Sequence, residues 1–340
     1  MTGSPFNNHQ GGAGVPACDS NHLPLSCPQL ISCRRLWDRG AHNALTDLIR
    51  FQDRWYCTFR QGELHVGGMD GRVVVLESPD GESWLPVVDI REQGVDLRDP
   101  KLSITPSGRL MLLMGGSCFD TKGRFLMRQT RVAFSETGRE WSEPDPILTP
   151  GEWLWRLTWH EGVAYGLSYN PDKKFKGEKE WHLSLFQTMD GCRYTLIRRL
   201  DVPGLPNEAT LRFKQDGSMI ALIRREREPC TGWIGQSSYP YRSWIFKEIP
   251  YRLGGPNFII LDDGTYWTAG RGFVEENDEV VPKTILGRMT DTTYEPLLIL
   301  PSGGDTSYPG MVFYQGLLWI SYYSSHEEKS CIYLAKIQLP

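Results

Sequence analysis

The sequence predicts an all-β chain folded as a six-bladed β-propeller of four-stranded antiparallel blades, and three observations predict it. A Ser/Thr-x-Asp-Gly-x-x-aromatic turn recurs along the chain, and six hairpins of apolar strands run in phase with it. The composition agrees: 12 Trp, 14 Tyr and 13 Phe, punctuated by 35 Gly and 23 Pro, favour strands and tight turns. No stretch of three turns carries apolar residues at i, i+3, i+4 and i+7, so helices are not expected.

The turns come first. Residues 78–84 (SPDGESW) form a strand end, a tight Asp-Gly turn and a Trp opening the next strand. Residues 135–141 (SETGREW) and 188–194 (TMDGCRY) repeat the pattern, 238–244 (SYPYRSW) keeps its frame, and 291–294 (DTTY) is a worn fifth copy. The closing aromatics Trp84, Trp141, Tyr194, Trp244 and Tyr294 are spaced by 57, 53, 50 and 50 residues, a blade-length period. Unrelated hairpins would not keep that spacing.

The hairpins follow in order at 44–60, 102–115, 157–169, 211–224, 258–271 and 311–323, each two apolar strands. The last unit ends in CIYLAKIQLP and has no fourth strand of its own, whereas Ile31 to Trp37 resembles the fourth strand at 196–200. The N-terminal segment is therefore expected to complete the last blade and leave no open edge. Residues 1–27, rich in Gly, Asn, Pro and Ser, read as a disordered lead-in, and 28–340 as one propeller.

Net charge is −4, which argues against a general nucleic-acid binder, and no run of 18 apolar residues exists to span a membrane. The N-terminus has no basic start followed by an apolar stretch, so no secretory signal is expected. The eight cysteines fit no zinc template, and several lie within strands as small buried hydrophobes. A cytoplasmic, reducing compartment is expected, although a secreted form lacking its leader would read the same way. No metal or cofactor is expected, and the sequence does not address oligomeric state.

Propeller geometry sorts the polar residues. Residues just before the first strand of a blade, or just after the second, share one face around the axis. Entering first strands are His42 and Asn43, Arg98 and Asp99, Arg156, Asn207 and Glu208, Asn257, and Asp305 with Tyr308. Leaving second strands are Arg60, Arg224, Arg225, Arg271, Tyr322, Tyr323 and His326. Any one of these alone reads as a solvated loop charge. Converging arginines among carboxylates and tyrosines instead favour an anionic ligand held by guanidinium forks.

The degenerate turns resemble the Asp boxes of the sialidase superfamily, whose fold is a six-bladed propeller. Residues 207–224 (NEATLRFKQDGSMIALIR) look like the segment carrying that family's catalytic Glu and a pocket Arg, and 307–310 (SYPG) like the segment carrying its nucleophilic Tyr. The resemblance implies Tyr308 as nucleophile, Glu208 as its base, and Arg224 and Arg271 as carboxylate ligands. It also implies an acid/base in the loop after the second strand of blade one, where Glu63, His65 and Asp70 all stand. The family's first-blade Arg-Ile-Pro is absent, replaced by His42-Asn43, and Arg60 or Arg98 is positioned to substitute. Asp99, Asn257, Asp305 and Tyr323 complete the expected binding set.

A phenol is neutral at pH 7 and needs a carboxylate to take its proton during attack. The expectation is thus a retaining exo-glycosidase of sialic or related acidic sugars, an exception to the two-carboxylate pattern. Two alternatives stand beside it: a propeller lyase using Tyr or His beside a uronate, and a noncatalytic acidic-glycan binder.

Overall fold

In the computed structural model, the described residues are 27–340 except 67, 69, 70 and 176. The expected lead-in and Asp70 thus lie outside the described residues, apart from Cys27. Six four-stranded antiparallel sheets form; five pair their strands in chain order, and the sixth takes its outer strand from the N-terminal end of the described residues. A two-stranded ribbon, Lys174–Phe175 with Glu178–Lys179, is added within blade three. The innermost strands are His42–Phe51, Val95–Ile104, Trp153–His160, Pro206–Phe213, Gly254–Ile260 and Thr306–Tyr314. Each touches the next, and the first touches the last, so the six enclose an axis. Each of the expected hairpins is found.

Closure follows the expectation too. Gln29–Trp37 pairs antiparallel with Cys331–Gln338 as the outer strand of blade six. Across the same seam Asn43 Nδ2 donates to the Ser330 carbonyl at 2.9 Å, and Ser330 Oγ donates back to the Asn43 carbonyl at 2.6 Å.

The repeated turns explain how blades adhere. In the first, Ser78 Oγ accepts from Gly81 N at 2.8 Å, Asp80 accepts from Glu82 N and Ser83 N, and the Trp84 indole donates to the Gly81 carbonyl at 3.0 Å. The same indole bond closes the turns at Trp141 and Trp244. Gly81 has φ +75°, and a Cβ there would lie 2.5 Å from the Trp319 ring, so this turn packs directly on the preceding blade. Gly138 meets Tyr56, and Gly191 meets Met111, in the same way.

The axis is filled by polar groups. Arg156 grips Asp47 through both terminal nitrogens at 3.0–3.1 Å, and Asp47 also accepts from Leu102 N at 2.8 Å. Lys101 donates to the Thr46 and Pro100 carbonyls at 3.3 Å, and Arg212 to Asn257 at 2.9 Å. Arg156, Lys101 and Arg212 thus gather around Asp47, and Lys101 also feels Asp99 and Glu208. Burial, with Arg156 adding repulsion, pulls the Lys101 ammonium down to about 8. Cys33, Cys57, Cys118, Cys192, Cys230 and Cys331 carry thiols free of disulfides. No helix among the described residues is long and apolar enough to cross a membrane.

Candidate active site

Each innermost strand carries one extra residue at the same height. Between Ala44 and Asp47, Arg98 and Lys101, Leu154 and Leu157, Pro206 and Ala209, Gly254 and Asn257, and Ser307 and Gly310, the register with the second strand slips by one. Such bulges re-aim a side chain. Here they turn Asp99, Glu208 and Tyr308, from alternate blades, towards the axis. Asp99 and Tyr308 adopt left-handed backbone, φ 47° and 57°, which non-glycine residues hold only where surroundings enforce it.

At the centre, the Tyr308 hydroxyl donates to Glu208 Oε1. Glu208 Oε2 accepts from Arg224 Nη1 at 2.6 Å and from Gly255 N at 2.8 Å. Arg224 Nη2 reaches Glu226 at 2.5 Å, and Asn207 Nδ2 donates to the same Glu226 oxygen at 2.9 Å. Burial pushes the Glu208 carboxyl up, but Arg224, the phenol and the Gly255 amide outweigh it and hold it below its usual range. Burial and the Glu208 charge drive the Tyr308 phenol well above its ordinary value. The pair therefore rests as neutral phenol and ionised carboxylate. The Tyr308 ring is held by Trp155 at 5.3 Å and Tyr323 at 5.8 Å.

Asp99 is shifted the other way. It accepts from the Trp153 indole at 3.0 Å, and burial raises its carboxyl despite Arg98 and Lys101. Two carboxylates whose environments part their proton affinities in this way are suited to acid and base roles.

A second cluster lines the mouth. Asp305 Oδ1 accepts from Arg271 Nη2 at 3.0 Å and from the Tyr323 hydroxyl at 2.7 Å. Its Oδ2 lies 2.9 Å from His65 Nδ1 and 3.8 Å from His42 Nε2. Burial would raise the Asp305 carboxyl, but bonds from both histidines and Tyr323 hold it far below the usual range. Arg98 Nη1 donates to the His65 carbonyl at 2.5 Å and to Asp96 at 3.2 Å.

Of the residues expected from sequence, Tyr308, Glu208, Arg224, Arg98, Asp99, Arg271, Asp305, Tyr323, His42 and His65 come together. Arg60 does not face the site. It is 0% exposed, pairing through Nε with Asp96 at 2.7 Å and through Nη1 with the Leu64 carbonyl at 2.8 Å, so it anchors the loop that carries His65. Asn257 is also corrected: buried beneath the floor, it donates to the Pro309 carbonyl at 2.9 Å and accepts from Arg212. Arg156 belongs to the axial plug. Arg225, one residue past Arg224, points to the opposite face and bonds Thr231 and Glu248, as strand alternation requires. Tyr322 likewise packs outward, donating to the Pro301 carbonyl at 2.7 Å. Glu63 is exposed on its loop.

Sequence reasoning missed Trp153, Lys101 and Glu226. Trp153 stands at a strand entrance, where an apolar ring reads from sequence as core. Lys101 lies at the bulge of its strand and Glu226 just past the end of Met219–Arg225, positions that strand alternation does not assign.

Gly255 gives a sharp local test. With φ +54°, its added Cβ would lie 2.6 Å from the Tyr308 ring. Gly255→Ala is expected to push Tyr308 off Glu208 and to cost roughly 1 kcal/mol in backbone strain. Thermal melting and a crystal structure would show a folded protein with a displaced ring; an unmoved ring would refute this reading.

No known family's profile matches the chain, and no curated protein does. Solved structures do. A protein of unknown function from Dyadobacter fermentans superimposes with TM-score 0.78 at 14% identity, covering 92% of this chain and 99% of that one. Trypanosoma rangeli sialidase in complex with sialic acid gives TM-score 0.64 at 10% identity, over 91% of this chain and 57% of that one. The GH93 α-L-arabinofuranosidase of Fusarium graminearum, in complex with arabinobiose, gives 0.64 at 13%, over 91% and 98%. The fold is the six-bladed propeller of these glycosidases. The chain spans little more than half of the sialidase.

Proposed function

We propose that this chain is a retaining glycosidase of acidic sugars, with Tyr308 as nucleophile and Glu208 as its base. The observation that carries the reading is the Tyr308 hydroxyl donating to a carboxylate that Arg224 and Gly255 N hold in place. In the first step the phenol oxygen bonds the anomeric carbon while its proton passes to Glu208, and the glycosidic oxygen leaves with a proton from Asp99. In the second, the Asp99 carboxylate takes a proton from water, which displaces the Tyr308 oxygen, and Glu208 returns its proton to the phenol. Assigning the acid to Asp99 departs from the loop residues Glu63, His65 and Asp70. Its support is burial with a raised proton affinity beside the nucleophile.

That role makes a leaving-group prediction. Asp99→Asn is expected to lower turnover of alkyl glycosides about 10²–10⁴-fold, the usual scale of acid catalysis, and that of activated aryl glycosides far less. The pH profile of kcat/KM should be a bell. Its acid limb, Glu208 losing its charge, lies below the ordinary carboxylate range, and its alkaline limb, Asp99 losing its proton, lies above it. Equal losses on both substrate types would remove Asp99 from the reaction.

One observation favours a second reading. Every arginine at the mouth is already paired: Arg224 with Glu208 and Glu226, Arg271 with Asp305, Arg98 with Asp96. A neutral sugar, as in the arabinofuranosidase likeness, would leave those pairs intact. Assay of purified protein against aryl glycosides of sialic acids, uronic acids and neutral pentoses decides between them. An unsaturated, ultraviolet-absorbing product would instead mark a lyase.

A further inference from the structure

We propose that His42 Nε2, His65 Nδ1 and Asp305 Oδ2 form a binding site for a divalent first-row metal ion, with zinc as the case to test. The three atoms come from three separate segments: the start of blade one, the loop after its second strand, and the entrance to blade six. They lie 3.3, 2.9 and 3.8 Å apart. The mean edge, about 3.3 Å, is the ligand separation of a tetrahedral ion with bonds of about 2.0–2.1 Å, the range for zinc with imidazole and carboxylate. Two imidazoles and one carboxylate suit a borderline ion over calcium or magnesium, which prefer all-oxygen shells.

The surroundings support this use of the atoms. Asp305 Oδ1 is committed to Arg271 and Tyr323, which fixes the carboxylate plane and leaves Oδ2 turned to the histidines. The His65 backbone is pinned through its carbonyl by Arg98, and the Arg60 bond to Leu64 holds the preceding residue. The groups are accessible: the side chains of His65 and Asp305 are 36% and 35% exposed.

Charge gives the site a purpose, and this step rests on the acidic-sugar reading above. The arginines Arg98, Arg224 and Arg271 are each already paired at the mouth, with Asp96, with Glu208 and Glu226, and with Asp305. None of these three guanidiniums is left unpaired for a sugar acid, and the buried Lys101 lies beneath the rings of Trp155 and Tyr308. An ion with three protein ligands and an open fourth position supplies a positive charge. It would stand beside Tyr323, which packs on the Tyr308 ring.

Two measurements on the full chain test the proposal. The first omits sugar. Zn²⁺ is titrated calorimetrically and Co²⁺ optically into wild type, His42→Ala and His65→Ala, each checked for an unchanged melting temperature without metal. One equivalent should bind wild type, either substitution should weaken binding at least about 100-fold, and the Co²⁺ spectrum should lack thiolate charge-transfer bands. Should an alanine variant fail to fold, the Co²⁺ spectrum of wild type and weaker metal binding at acid pH, where protons compete for the ligands, still decide. No binding, unaltered binding in folded variants, or a thiolate spectrum overturns the metal site. The second measurement titrates an acidic sugar and its methyl ester into Tyr308→Phe with and without Zn²⁺. Zinc should tighten the acid at least tenfold and leave the ester unchanged. Tight metal binding with no effect on either sugar would overturn the ligand assignment while the ion site stands.

Discussion

Tyr308→Phe is expected to abolish turnover of any glycoside the wild type cleaves, by at least about 10³-fold in kcat, while the protein stays folded. The substitution keeps the ring between Trp155 and Tyr323 and removes only the attacking oxygen. Glu208 then loses one partner of three, at a cost of about 1–3 kcal/mol for the bond left unmade. Glu208→Gln should match the kinetic loss, because the phenol keeps its proton without a base. The double variant should fall no further than either single one, since the two groups act as a unit. Single-turnover kinetics with a melting curve would read both. A single variant retaining a tenth of wild-type kcat would falsify the assignment of this pair.

Removing residues 1–40 is expected to prevent soluble folding. The Gln29–Trp37 strand covers the edge of Cys331–Gln338, and without it a row of backbone donors and acceptors is opened beside the buried Ile332, Leu334 and Ile337. Leu30, Cys33, Leu36 and Trp37 would leave their packing against blades one and six, and Trp37 its bond to Gln61 at 2.9 Å. A synthetic peptide spanning 27–40, added during refolding, should restore monomeric protein as judged by gel filtration. A stable, monomeric truncated chain would show that the ring does not depend on this closure.

Most of the architecture is legible in the sequence because it is periodic. The spacing of Trp84, Trp141, Tyr194, Trp244 and Tyr294 is the blade period itself, and a turn whose indole bonds a carbonyl three residues back is a local structure. The closing strand was legible too, since 331–340 lacks a partner within its own unit and the segment around Ile31 has the composition to be one. Tyr308, Glu208 and Arg224 were found partly by position in the repeat and partly by likeness of short segments.

What the chain determines locally is the alternation of strands and turns, the number of blades, and the ring face on which each strand entrance lies. Which side chains face the axis at those entrances was decided only in three dimensions. The bulge shared by the six innermost strands moves side chains by one position, so alternation counted from the strand end points Tyr308 and Asp99 the wrong way. Charge pairing was equally out of reach. Arg60 and Arg98 have the same composition and similar placement in sequence, yet Asp96 takes Arg60 wholly into the blade while Arg98 reaches the His65 carbonyl at the mouth. The partner of a buried guanidinium is set by distance across strands, and Asp305 meets His42 and His65 only because the first and last blades become neighbours when the ring closes.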